Sequence, residues 1–92
     1  MRFSVVVDVQ LKAGVADPQG ATIERSLPTL GYAGVSDVRV GKSIRFTLDA
    51  DSDSAARAEV DDLCRRFLTN PVIEDAVITI DSTVHVTEGA GT

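Results

Sequence analysis

Ten residues near the start of the chain, Arg2 to Leu11, alternate in polarity with a single exception, and this pattern constrains the whole fold. Phe3, Val5, Val7, Val9 and Leu11 take one side, and Arg2, Ser4, Asp8 and Gln10 the other; only Val6 breaks the rule. Strand side chains point alternately to opposite faces, so the segment predicts a strand with one buried face. Ala13-Gly14 closes it. A strand of this kind needs partner strands beside it and a second layer over its apolar side.

The rest of the chain supplies both. Asp17-Pro18 predicts a helix start, since Asp17 can accept from orphan amides and Pro18 suits the first helical position. Ile23, Leu27 and Leu30 then share one helical face, and Gly31 is a stop. Pro28 removes a backbone bond to Glu24 and is expected to kink or loosen the last turn. Val35 to Ala50 reads as two strands around Gly41-Lys42-Ser43. A three-residue loop pairs Val40 with Ile44 and Val38 with Phe46, keeping apolar side chains together, and sets Arg39 opposite Arg45. Asp51-Ser52-Asp53 opens a second helix carrying Ala56, Val60, Leu63, Cys64 and Phe67 on its apolar side, and Asn70-Pro71 ends it. Ala76, Ile78 and Ile80 alternate with Val77, Thr79 and Asp81 in a last strand.

The order is β-α-β-β-α-β. Right-handed crossovers put both helices on one face of the sheet. The expected class is therefore α+β, a ferredoxin-like fold with a four-stranded antiparallel sheet and two helices on one side. The domain spans residues 1–81; residues 82–92 read as a flexible polar tail, with room for a strand extension from Thr83 to Val86.

At 92 residues and 43% hydrophobic, the chain closes one modest core, and self-association would relieve its marginal stability. A net charge of −5 argues against a nucleic-acid partner, which requires a basic footprint. No run of 18 apolar residues is present, so no membrane span is expected. The N-terminus reads as a strand rather than a signal peptide. One cysteine, Cys64, excludes an internal disulfide and fits a reducing, cytoplasmic setting.

The chemistry-bearing residues are sparse. His85, the only histidine, falls in the tail, and Cys64 falls on the apolar side of the second helix, where it serves as a small buried hydrophobe. Glu59, Asp61 and Asp62 form an exposed helical face, and Gly31, Gly34 and Gly41 are too widely spaced for a phosphate loop. Catalysis by the chain alone is not expected. What remains is surface. The open sheet face carries Ser4, Val6, Asp8, Gln10, Arg39, Arg45, Thr47, Val77 and Thr79, a flat, partly apolar array suited to dimerisation or to plain exposure. Arg39, Lys42 and Arg45 concentrate positive charge that partner carboxylates or a bound anion could relieve; a solvated hairpin would also screen it.

Three segments in register carry a resemblance: Asp17-Pro18-Gln19-Gly20, Asp37-Val38-Arg39-Val40-Gly41-Lys42 and Asn70-Pro71-Val72-Ile73-Glu74-Asp75, with Leu11-Lys12 and Gly14-Val15 in support. From about Met1 to Ile80 the chain resembles the PurS family, the small subunit of phosphoribosylformylglycinamidine synthase (FGAM synthase). The resemblance implies a non-catalytic subunit of a glutamine- and ATP-dependent ligase of purine biosynthesis, which converts formylglycinamide ribonucleotide to its amidine. It implies a homodimer or tetramer that bridges a PurL-like synthetase subunit and a PurQ-like glutaminase subunit and protects the ammonia path. No cofactor is expected in this chain; ATP and Mg belong to the synthetase subunit.

On this reading Arg39, Lys42, Arg45, Asn70 and Glu74 are candidate partner contacts, while Asp17, Pro18, Gly20, Gly41 and Pro71 shape the backbone. Two departures from the family pattern stand out, Ala76 where relatives often carry an aromatic and Pro28 in the first helix. The rival expectation, from fold analogy, is a small-molecule-binding regulatory module.

Overall fold

A computed structural model of the chain describes residues 1–82. Strand β1 (Arg2–Leu11) leads to helix α1 (Pro18–Ser26) and a 3-10 turn at Pro28–Leu30. Strand β2 (Lys42–Asp49), helix α2 (Asp53–Leu63), a π-helical turn at Cys64–Leu68 and strand β3 (Glu74–Ser82) follow. β1 lies at the centre of an antiparallel sheet of order β2-β1-β3.

The alternation in β1 does what its pattern demands. Phe3, Val5 and Val7 are fully buried and Val9 nearly so. Pairing sets Phe46 and Ile80 on either side of Val5, and Ile44 and Ile78 on either side of Val7, so apolar rows cross all three strands. α2 lays Ala56, Val60 and Cys64 on that face, and these seven residues are the buried core. α2 is capped as its sequence suggests, with the Ser52 hydroxyl accepting from the Ala55 amide at 3.0 Å.

Two expectations are corrected. The first is the fourth strand. Residues 35–40 form no strand, because Asp37 adopts φ 58, a left-handed conformation that Asp tolerates, and turns the backbone there. The amides beyond it are then spent on side chains of α1: Val38 N–H donates to Glu24 Oε1 at 3.0 Å and Val40 N–H to Asp17 Oδ2 at 2.8 Å. β2 pairs with β1 instead. Keeping apolar side chains opposite one another is the right criterion, but β1 satisfies it, at Phe3–Leu48, Val5–Phe46 and Val7–Ile44, within a ladder of eight residue pairs. Val40–Ile44 and Val38–Phe46 are therefore not cross-strand pairs, and Arg39 does not face Arg45; Arg45 faces Val6.

The second correction concerns α1. It does not share the sheet face with α2; its substantial packing neighbour is its own 3-10 turn. Gly20 is its only buried residue, and Ile23 remains 44% exposed. α1 with the returning segment is thus an arm beside the sheet. Pro28 stops the helix rather than kinking it: α1 ends at Ser26, Pro28 opens the 3-10 turn, and Gly31 caps that turn at φ 100. β3 runs to Ser82, one residue beyond the boundary read from the sequence. The remainder of the proposed tail, including His85 and the Thr83 to Val86 extension, lies outside the described residues.

Candidate interaction surface

The root of the arm is built from one helix face. Asp17, Gly20 and Glu24 recur at helical spacing, so the two carboxylates and the gap between them face the same way. Asp17 caps α1 by accepting from Gly20 N–H at 2.9 Å with one oxygen, and takes Val40 N–H with the other. These two amides hold its carboxyl below the ordinary carboxylate value, with a smaller contribution from the Arg39 cation and an opposing one from burial. Arg39 lies 3.8 Å from Asp17 and donates to the Val15 carbonyl at 3.1 Å. Gly20 is required by close approach: a Cβ there would sit 2.3 Å from the Val38 carbonyl oxygen. Gly41 is required likewise, its Cβ falling 2.6 Å from the Val9 carbonyl oxygen where β2 meets β1.

A second knot ties the end of α2 to β3. The Asn70 side chain accepts from Val72 N–H at 3.1 Å, and Asn70 N–H donates to Glu74 Oε1 at 2.8 Å. Lys12 pairs with Asp75 at 2.6 Å and donates its backbone N–H to Ile73, so the turn begun by Pro71 is fixed to the end of β1. Asn70 and Glu74, candidate partner contacts on the sequence reading, thus also have a local task. Both close the turn.

The quoted motifs nevertheless converge. Asp17, Pro18, Gly41, Lys42 and Glu74 line one shallow cleft of about 240 Å³ at the junction of arm and sheet. Arg39 braces that junction from the adjacent cleft, while Arg45 stands apart on the open sheet face and Asn70 is absent from both linings. Lys42 and Arg45 are exposed, with no ion pair among the described residues.

The greater surprise is apolar. Phe67 was expected on the buried side of α2, but the π turn, closed by Thr69 N–H to the Cys64 carbonyl at 3.0 Å, turns it out to 80% exposure. With Leu63, Phe46 and Leu48 it walls a groove of about 450 Å³ between α2 and β2. Leu30, Tyr32 and Val35 on the arm, Val72 in the turn and Val77 on the open sheet face are also exposed. Periodicity could not reveal Phe67, because one extra residue in a turn rotates every later side chain. Glu24 was missed as well, although the Asp17-Gly20-Glu24 stripe was a usable signal: a glycine flanked by carboxylates on one helix face invites a backbone to approach.

The Cys64 thiol is buried, and burial, with help from Asp61 and against Arg65, pushes its pKa up, which disfavours the reactive thiolate. Among the described residues no group of three or more His, Cys, Asp or Glu side chains could hold a metal ion, and no helix is long and apolar enough to cross a membrane. The described structure defines an α+β domain that exposes large apolar side chains on its arm, at its π turn and in the turn before β3.

Comparison with known proteins gives that class its family. The family model for PurS, phosphoribosylformylglycinamidine (FGAM) synthase, matches residues 4–82, and the chain belongs to this family. A phosphoribosylformylglycinamidine synthase subunit PurS from Methanothermobacter thermautotrophicus is 47% identical over 81 residues, 88% of this chain and 95% of the relative. Among solved structures, Bacillus subtilis PurS is 36% identical with a TM-score of 0.79, covering 87% of this chain and 99% of that one. A chain in the structure of PurLQS from Thermotoga maritima is 35% identical with a TM-score of 0.80, covering 87% and 98%. The ligand-binding regulatory module is not the reading these relatives favour.

Proposed function

We propose that this PurS chain is the non-catalytic, dimeric subunit of FGAM synthase, bridging a PurL-like synthetase subunit and a PurQ-like glutaminase subunit. ATP and Mg act on the synthetase subunit, where formylglycinamide ribonucleotide is converted to its amidine with nitrogen taken from glutamine. The complex works in the cytoplasm. The PurLQS relative, so similar in length and fold, supports this assignment.

The observation that carries the reading is the set of apolar side chains left in solvent on a small domain: Leu30, Tyr32, Val35, Phe67 and Val72. On a chain with so modest a core, a partner that covers these side chains adds apolar burial the domain cannot supply itself. The chemistry makes such a subunit useful. Ammonia released at one site must reach another as the free base, and a contact that excludes water prevents both its escape and its protonation. Holding two enzymes in register also replaces a diffusive encounter with a fixed path.

The test is reconstitution. With all three subunits, glutamine supports amidine formation; without this chain, glutamine-dependent turnover is lost while turnover supplied with ammonia persists. Undiminished glutamine-dependent turnover in its absence would reject the assignment.

A further inference from the structure

Resting on the assembly just proposed, we infer that the outer edge of β2 takes an acidic, extended segment of a partner subunit as an added strand. β2 is an edge strand, with β1 on one side only. Met1 and Ala50 exchange both backbone hydrogen bonds at 2.9 Å, so they form a hydrogen-bonded pair at the end of the β1–β2 ladder. Bonded and non-bonded pairs alternate along an antiparallel ladder, so Phe3–Leu48, Val5–Phe46, Val7–Ile44 and Val9–Lys42 are bonded too. The N–H and C=O groups of Ser43, Arg45 and Thr47 therefore point away from β1, and all three residues are exposed. The segment expected beside them as a fourth strand is held by Asp17 and Glu24 of the arm instead.

Charge selects the occupant. From Val38 to Leu48 the sequence has no acidic residue, against a net charge of −5 for the whole chain. Lys42 and Arg45 stand exposed in this stretch, with no ion pair among the described residues. A second copy fits poorly. β2 against β2 sets two cationic edges side by side, and like charges oppose pairing across a sheet. The other sheet edge, β3, carries Glu74, Asp75 and Asp81, but joining β3 of one copy to β2 of the next is a head-to-tail contact that leaves an edge free at each end of a pair. An acidic strand from a different subunit meets neither objection. Backbone bonds to Ser43, Arg45 and Thr47 supply its affinity, and the two cations select it and fix its register.

The test measures the concentration of this chain that half-saturates glutamine-dependent turnover by the two partner subunits. Light scattering and far-UV circular dichroism on the chain alone are the controls. Ser43→Pro deletes one outward N–H and leaves the β1–β2 bonds in place, a substitution that an edge strand accepts. It should raise the half-saturating concentration about tenfold or more, because a carbonyl buried in the contact loses its donor. The chain's own spectrum and molar mass should hold. Thr47→Pro, on the same edge, takes its place if Ser43→Pro disturbs the spectrum, and Arg45→Glu, which spares the backbone, should raise the concentration by a similar factor. Half-saturation indifferent to the prolines would overturn the added strand, and indifference to Arg45→Glu would overturn its acidic character. A changed molar mass for a folded proline variant would place another copy on the edge and overturn the proposal as well. Turnover that needs none of this chain rejects the bridging reading itself; turnover that needs the chain and ignores its edge rejects only the strand.

Discussion

Replacing Gly20 by alanine separates the arm described above from an ordinary exposed helix. In a solvent-facing helix the change from glycine to alanine stabilises, by about 0.8–1.0 kcal/mol, through reduced backbone freedom in the unfolded chain. Here the new methyl would meet the Val38 carbonyl oxygen at 2.3 Å, against an ordinary contact of 3.4 Å or more, so the returning segment must retreat by about 1 Å. Retreat of that size stretches the Glu24–Val38 bond, worth about 1 kcal/mol, and adds an overpacking penalty of about 1–3 kcal/mol. The clash outweighs the helix gain, and the net loss is about 1–3 kcal/mol. Urea titration at fixed protein concentration, followed by far-UV circular dichroism, should show a midpoint lowered by roughly 1 M with an unchanged slope. Gly34→Ala is the control: no atom lies within 4 Å of the new Cβ, so its midpoint should hold or rise slightly. A higher midpoint for Gly20→Ala would mean that the returning segment does not lie against α1, and the latch would be refuted.

Three further outcomes follow from the same geometry. Because the folded-state pKa of Asp17 is depressed, its stabilising effect is complete above the ordinary carboxylate value, near 3.9, and drains away as pH falls from there through the folded value; Asp17→Asn should flatten that part of the stability–pH curve, and an unchanged curve would exclude Asp17 as its source. Lys42→Glu and Arg45→Glu alter exposed cations without an ion pair among the described residues, so each should shift stability by no more than about 0.5 kcal/mol, and any loss of assembly with the partner subunits is then a contact effect rather than a folding one. Phe3→Ala removes a fully buried ring at the root of the core and should cost about 3–5 kcal/mol, a large share of the roughly 5–15 kcal/mol typical of whole domains, with thermal unfolding as the measure.

What was legible in the sequence was local. β1 alternates because one face meets α2, and a period of two survives any rearrangement that keeps a layer over that face. The caps at Asp17 and Ser52 depend on amides within three residues, so no distant partner can overrule them. The errors are all non-local. Val35 to Val40 has the composition of a strand, but whether it pairs depends on who reaches its amides first, and here the carboxylates of Asp17 and Glu24 do. Arg39 consequently moved from the sheet face to the arm's root, and the cation cluster read at the hairpin was dispersed. Asn70 and Glu74 belong to the same class: many turns form without such side chains, and this turn uses both.

The misreadings share one cause, and it bears on function. Pattern arguments assume that a chain buries its own apolar faces. This chain satisfies that assumption on β1 and breaks it on α1, where Ile23 keeps its helical spacing yet stays exposed, and at Phe67, which the π turn rotates outward. A sequence patterned for two helices over a sheet yields a domain that seats only one of them and leaves Ile23 and Leu30 of the other segment exposed. Whatever covers those side chains in the folded state, and not in the unfolded one, stabilises the domain by mass action.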